Sequence, residues 1–395
     1  MIRQVTDSER IAMQLSAKMV HERLAHMKPR LENCSLETTR KGQNALGEVM
    51  RAAHYSRSKV KQHDFPDFQA AWVMPGDQRR DGVVLYLHGG GYTCGGLEYA
   101  LGFGSVLADN CGVRVFCAAY RLAPENPFPA AVDDALTAYQ YLLKKGYTPN
   151  QISLCGESAG GGLCFCLCLR LKELGMELPG SITAISPWTD LTGSGESYET
   201  NREVDVSLSQ EQLAFYARCY TDNPENPLAS PLFGDLTGMP PTLIFAGGDE
   251  ILLSDSENMC RKLREAGNIC RIHVRPERWH AYVLYGLAED QEDMVILNGF
   301  LSRYLSPERK LRWMRLDNAA KIYPAAQRES WSNVFRLSAT LNDRVDTRVL
   351  QSALDVTVRR FPSMCVRLRR GLFWYYFQQR ERAPAVREEN SYPVT

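Results

Sequence analysis

The chain has no Cys-x-x-Cys pair and no cysteine/histidine spacing that fits a zinc site, although it holds 12 cysteines. It has no surplus of charge. Its 46 Lys/Arg balance 46 Asp/Glu, which gives no reason to expect nucleic acid or an anionic membrane as a partner. No run of 18 apolar residues occurs, so no integral membrane segment is expected. The charges in MIRQVTDSERIAMQLSAKMV come too early for a secretory signal. Without a metal pattern or a signal, the scattered cysteines read as buried reduced thiols of a cytoplasmic protein, four of them (Cys155, Cys164, Cys166, Cys168) in one apolar run.

What is present is ordinary in bulk and uneven in detail. The 395 residues are 44% apolar and 23% charged, near the soluble globular average, which excludes a mainly disordered or collagen-like chain. The length suits two or three units, or one large unit with additions. Residues 306–395 hold 17 Lys/Arg against 9 Asp/Glu, a net of +8, and residues 1–305 hold 29 against 37, a net of −8. That change of sign suggests two units of different origin.

Residues 8–31 carry Ile11, Met13, Leu15, Met19, Leu24 and Met27 among charges, which predicts one or two amphipathic helices. From Asp67 onward, short continuous apolar runs alternate with helical stretches. Strands are predicted at 68–74, 83–88, 113–119, 152–155, 182–186, 242–246 and 269–274, and helices at 130–145, 160–174, 256–266 and 289–305. Apolar runs without alternation fit strands buried on both faces. Strand–helix alternation implies a mainly parallel sheet with helices on both sides, and ligands of such sheets sit at the C-terminal strand ends. Residues 191–237 interrupt the alternation with turn-rich sequence around one helical piece, 209–220. An insertion of that kind builds a pocket wall or lid.

Those strand ends carry the reactive residues. Ser158 lies in Gly156-Glu157-Ser158-Ala159-Gly160, between a predicted strand and a predicted helix. G-x-S-x-G requires that context, because the glycines permit the sharp turn that exposes the serine. Read alone, the motif also fits a serine in a helix N-cap turn. His88-Gly89-Gly90-Gly91 closes the strand 83–88. Glycines there let backbone N–H groups approach an oxyanion, with Gly90, Gly91 and Ala159 as the expected donors and Gly89 making the turn. A phosphate cradle would need G-x-G-x-x-G or a following Gly-Lys-Ser/Thr, and neither is there.

A serine nucleophile needs a base and an orienting carboxylate. Of the seven histidines, four precede the core sheet, His88 belongs to the glycine motif and His273 lies in a predicted strand. His280 is left, on the loop after the last strand. Asp249 follows the strand 242–246 through Gly247-Gly248 and is the expected acid, with Glu250 and Asp255 competing for that place. The order Ser158, Asp249, His280 is the α/β-hydrolase order. A helix-capping Asp249 and a surface His280 are the bland alternative.

Residues from about 68 to 305 resemble the hormone-sensitive-lipase-like branch of the α/β-hydrolases. The resemblance rests on LYLHGGGY, YRLAPENPFPAAVDDA, LCGESAGG, SPWTDL and AGGDEILLSDS. Two departures are small: Glu157 where Asp is common, and Trp279 before the histidine. It implies a carboxylesterase of short- to medium-chain, acetyl-type esters with no metal or other cofactor. The implied fold is an α/β-hydrolase: a mostly parallel central sheet, helices on both faces and a helical cap, plus a small C-terminal α+β segment. The expected parts are 1–67, an N-terminal helical cap and entry strand; 68–305, the core with cap insertion 191–237; and 306–395. Residues 322–379 resemble the opening of condensation-type, alcohol-acetyltransferase-like domains, through YPAAQRESWSNVFRLSATL, DTRVLQSALDVTVRRFPSMCVRLRR and LFWYYFQQ. No histidine follows His280, so that family's H-H-x-x-x-D-G motif is missing and a partial domain is expected. The aromatic run Trp374–Phe377 there would need a partner surface, making the segment the expected place for a homodimer or partner contact. Two rival functions stand beside the esterase: acyl transfer to an alcohol acceptor, and a non-catalytic small-molecule binder. Sequence does not separate ester from amide or lactone cleavage.

Overall fold

Val83, Leu85 and Leu87 pack into one hydrophobic cluster, and Val84 and Tyr86 into another. Because side chains alternate along a strand, one five-residue apolar run supplies both faces of a sheet. The same division appears along the strand that carries Leu243, Ile244 and Phe245: Ile244 joins the first cluster, and Leu243 and Phe245 join the second.

The computed structural model describes residues 16–31, 34–54, 58–305, 313–315, 346–360, 365–370, 375–379 and 384–386. The chain divides into two compact units, Met1–Pro307 and Glu308–Thr395. The strands of the first are β1 (Ser58–Asp64), β2 (Gln69–Pro75), β3 (Val83–Leu87), β4 (Arg114–Ala119), β5 (Ile152–Glu157), β6 (Ser181–Ile185), β7 (Thr242–Gly247) and β8 (Cys270–Arg275). They form one sheet in the order β1-β2-β4-β3-β5-β6-β7-β8. The β1–β2 and β2–β4 pairs are antiparallel and the other five are parallel. The helices are α1 (Ala17–Leu31), α2 (Leu36–His54), α3 (Leu97–Cys111), α4 (Ala130–Lys144), α5 (Ala159–Glu173), α6 (Ser197–Thr200), α7 (Gln210–Tyr220), α8 (Leu253–Glu265) and α9 (Gln291–Tyr304). Buried residues of α4, α5 and α8 belong to the first cluster, and those of α3 and α9 to the second. No helix among the described residues is long and apolar enough to cross a membrane.

Helix α3 has no counterpart in the sequence reading. Its LGFGSVLADNC stretch holds two glycines, which lower helix propensity by about 1 kcal/mol each relative to alanine. The structure uses one of them for contact: a Cβ on Gly102 would lie 2.7 Å from the Cα of Gly47. The α2 and α3 backbones therefore cross in near contact, and packing replaces the lost propensity. Helix α7 starts as predicted, one residue after Ser209, whose hydroxyl accepts the Gln212 N–H at 3.3 Å.

The second unit contains β9 (Trp313–Arg315), α10 (Thr347–Arg360), β10 (Val366–Arg370) and β11 (Tyr375–Gln379), with sheet order β10-β11-β9. Of the segment 322–379 that resembles an acyltransferase opening, residues 322–345 and Trp374 lie outside the described residues. β11, which carries Tyr375, Tyr376 and Phe377, is paired on both sides. Its two neighbours, β10 and β9, occupy its two backbone edges.

Candidate active site

Ser158 links β5 directly to α5, with φ 55 and ψ −124. A non-glycine residue in that region costs roughly 1–3 kcal/mol and persists only where its surroundings hold it. Three backbone bonds do so. The Ser158 N–H donates to Ile185 O at 2.9 Å, and its carbonyl accepts Trp188 N–H at 2.9 Å and Gly162 N–H at 3.1 Å. Gly160 makes the turn sterically feasible, since a Cβ there would collide with the carbonyls of Leu87 and His88. The side chain is 8% exposed, at the C-terminal end of the sheet.

His280 reaches the same end from the loop after β8. The N–H of the next residue, Ala281, donates to Ser186 Oγ at 3.0 Å. Ser158 hangs from Ile185 and the histidine loop from Ser186, so consecutive residues at the end of β6 anchor both. His280 Nδ1 lies 2.6 Å from Glu250 Oε2. A carboxylate only accepts, so Nδ1 carries the proton and Nε2 is left as the basic nitrogen. Glu250 is fully buried, and its Oε1 accepts the Gly247 N–H at 2.9 Å.

The carboxylate that meets His280 is Glu250, which corrects the expectation for Asp249. Asp249 enters the arrangement through its backbone, donating its N–H to Arg278 O at 3.0 Å. Its carboxyl is half-buried, and that partial desolvation holds it above the usual aspartate range. The turn after β7 points adjacent side chains in different directions: the Asp249 carboxyl interacts with His21, Glu277 and Asp205, and that of Glu250 with the imidazole. Asp255, the other competitor, is committed elsewhere: its Oδ1 accepts the N–H groups of Thr189 and Asp190 at 2.8 and 2.9 Å, and burial pushes its carboxyl up to about 8.

The glycine loop is pinned one peptide plane at a time. His88 Nδ1 lies 2.8 Å from Gly89 O and must donate to it. In a trans peptide the N–H points opposite to the C=O, so this bond aims the Gly90 N–H away from His88. Gly90 O accepts the N–H groups of Thr93 and Cys94 at 3.1 and 2.8 Å, which aims the Gly91 N–H in the same manner. Among the described residues neither of those amides has a backbone acceptor. Gly90 and Gly91 adopt φ 112 and 60, a backbone that disfavours any side chain. Ala159 begins α5, so its N–H is one of that helix's free N-terminal donors. His88 is fully buried and stacks on Tyr120, with ring centroids 4.3 Å apart at 5°. Burial lowers its pKa to about 4, so it stays neutral. Gly89 sits against the turn from β5 into α5, where a Cβ would lie 3.0 Å from Ser158 Cβ. Its N–H donates to Glu157 Oε1 at 2.6 Å.

Two cap elements touch this loop. A Cβ on Gly91 would run into the ring of Tyr216 in α7, and one on Gly90 would lie 3.1 Å from Gln43 Oε1 in α2. Arg40 of α2 donates to Thr93 O, Ala123 O and both carboxylate oxygens of Glu125. Tyr220 stacks on Tyr92 at 3.9 Å, whereas Phe215 is exposed. Phe215, Tyr216 and Tyr220 lie on the helical piece 209–220 predicted within the insertion, and its sequence alone does not orient them. Gln43 and Arg40 carry no sequence signal that marks them, because only the folded path of α2 brings them over the loop.

A family model described as alpha/beta hydrolase fold matches residues 84–284. An acetyl-hydrolase of Streptomyces hygroscopicus is 38% identical over 237 residues, 59% of this chain and 79% of its own length. An esterase of Acinetobacter venetianus is 35% identical over 51% of this chain and 68% of its own. Among solved structures, a hormone-sensitive lipase from a metagenome library aligns with a TM-score of 0.70 at 31% identity, covering 74% of this chain and 99% of that one. EstE5, soaked with p-nitrophenyl butyrate, aligns at 0.67 and 29% identity, covering 73% and 98%.

Proposed function

Since this chain belongs to the alpha/beta hydrolase fold family and is a carboxylic ester hydrolase, we propose that it cleaves short-chain, acetyl-type esters with Ser158 as nucleophile, His280 as base and Glu250 as the orienting acid. The observation that carries the reading is the 2.6 Å contact between His280 Nδ1 and Glu250 Oε2. It fixes the imidazole in the tautomer whose Nε2 takes a proton from a serine.

In this mechanism Ser158 Oγ attacks the ester carbonyl as His280 removes its proton. Buried Glu250 stabilises the imidazolium that forms, without itself taking the proton. The amides of Gly90, Gly91 and Ala159 receive the tetrahedral oxyanion, each donor contributing about 3 kcal/mol of transition-state stabilisation. The imidazolium then protonates the leaving alcohol, giving an acyl-Ser158 intermediate. A water deprotonated by His280 releases the acid and restores the serine. The relative named acetyl-hydrolase and the neighbour soaked with p-nitrophenyl butyrate support a short acyl group.

The test is covalent labelling with a fluorophosphonate, followed by peptide mapping, together with Ser158→Ala kinetics on p-nitrophenyl acetate. The label is expected on Ser158, and kcat of the variant should fall by about 10⁶-fold, the scale of serine-hydrolase knockouts. A folded Ser158→Ala protein with near-normal turnover excludes this serine as the nucleophile.

A further inference from the structure

Glu157 is a fully buried carboxyl one residue before the proposed nucleophile. Its Oε1 accepts the Gly89 N–H at 2.6 Å and its Oε2 accepts the Tyr86 hydroxyl at 2.5 Å. A buried acid of this kind is costly, and nothing in the mechanism above uses it. The bond to Gly89 spans from the nucleophile turn to the start of the glycine loop. With His88 holding the Gly89 carbonyl, Gly89 is gripped at both its N–H and its C=O. The peptide that follows is the one whose N–H belongs to Gly90.

We infer that Glu157 is a positioning residue for the oxyanion loop: its negative charge, through the Gly89 N–H, holds the Gly90 and Gly91 amides at the distance from Ser158 that the tetrahedral intermediate needs. The inference rests on the serine-esterase reading and adds to it a group that touches neither substrate nor reacting atoms. Charge matters because a hydrogen bond to a carboxylate is roughly twice as strong as one to a neutral acceptor. The Gly89 amide can only donate, so protonation of Glu157 weakens this bond without offering it another acceptor there.

The surroundings set when that charge is present. Tyr86 from β3, Tyr99 from α3, Tyr120 after β4, Cys117 from β4, Cys155 from β5 and Cys164 from α5 all interact with it, and burial keeps each of them neutral. His88 is neutral as well. With no cation among these groups, desolvation raises the Glu157 carboxyl to about 7, although the bonds from Tyr86, Gly89 and Tyr99 oppose the rise. The loop's grip therefore strengthens as the pH passes through neutrality.

The experiment compares wild type, Glu157→Gln and Glu157→Asp, with active sites counted by fluorophosphonate titration. Three quantities are read per titrated site: kcat, KM for p-nitrophenyl acetate, and affinity for a short aliphatic trifluoromethyl ketone, whose hemiketal oxygen occupies the oxyanion position. Glu157→Gln should lower kcat and ketone affinity together by about tenfold, with KM changed less than twofold, because only the transition state feels the loop. Glu157→Asp keeps the charge on a shorter arm and should lie between the two. It carries the test by itself if the glutamine variant does not fold. Wild-type kcat and ketone affinity per titrated site in either folded variant overturn the inference. So does a loss of activity that only follows the loss of titratable sites. A wild-type protein that neither labels at Ser158 nor cleaves the ester overturns the esterase reading instead.

Discussion

Glu250 Oε2 lies 2.6 Å from His280 Nδ1, while the preceding residue, Asp249, meets this loop only through its backbone N–H on Arg278 O. Two adjacent carboxylates thus take different parts, and mutation separates them. Glu250→Gln should cut kcat by about 10⁴-fold, the scale found when an orienting acid becomes an amide and the imidazole tautomer is lost. Asp249→Asn should stay within about threefold of wild type, as expected of a near-isosteric change at a half-buried residue that keeps its backbone bond. Steady-state kinetics on p-nitrophenyl acetate read both, and the reverse ranking would return the acid's place to Asp249.

The contact between Gly91 and Tyr216 predicts a coupled pair. Gly91→Ala places a Cβ into the Tyr216 ring at φ 60 and should lower kcat by about 100-fold, the order of losing one oxyanion donor. Adding Tyr216→Ala frees the space and should recover part of that loss, giving a coupling energy of at least about 1 kcal/mol in a double-mutant cycle. Strict additivity would mean that the backbone strain acts without the ring.

Substrate length tests the acyl pocket. Across p-nitrophenyl esters from acetate upward, kcat/KM should peak between acetate and hexanoate. A maximum at long chains would overturn the short-acyl assignment and leave the catalytic residues untouched.

Glu157 also links activity to stability. Its carboxyl is raised to about 7 in the fold, against 4.5 for a free glutamate. Between those values the native protein retains a proton that the unfolded chain has released. Stability therefore falls as the pH rises through the window and levels off above it. The contribution is roughly 3 kcal/mol at one pKa unit per 1.36 kcal/mol. Urea unfolding at pH 5 and pH 8 should show Glu157→Gln losing about 2.5 kcal/mol less than wild type between the two, since part of the change lies below pH 5. Equal losses would place the pH dependence in other groups.

The sheet was legible because apolar runs such as 83–88 and 242–246 are short, continuous and separated by helical stretches. The motifs were legible because Gly-x-Ser-x-Gly and His-Gly-Gly-Gly each need a particular strand end, which the same pattern supplies. Helix α3 is not legible in the sequence because Gly102 serves packing against Gly47, a partner distant in the chain that propensity does not include. The choice between Asp249 and Glu250 rests on the path of one turn, and both residues suit such a turn equally well. Glu157 stood out only as a departure from Asp, and its bond to Gly89 depends on two strand ends meeting. Sequence periodicity reports which face is buried; it does not report which of two neighbouring side chains crosses a gap.

The ring of Tyr216 rests on Gly91, and Arg40 straps α2 to the carbonyls of Thr93 and Ala123 beside the same loop. Roof and anion cradle are therefore mechanically one assembly. Under the proposed mechanism, a cap swung open to admit a bulky ester would also release the amides assigned to the oxyanion, so a substrate too large for the closed chamber would be admitted only to an enzyme already disarmed.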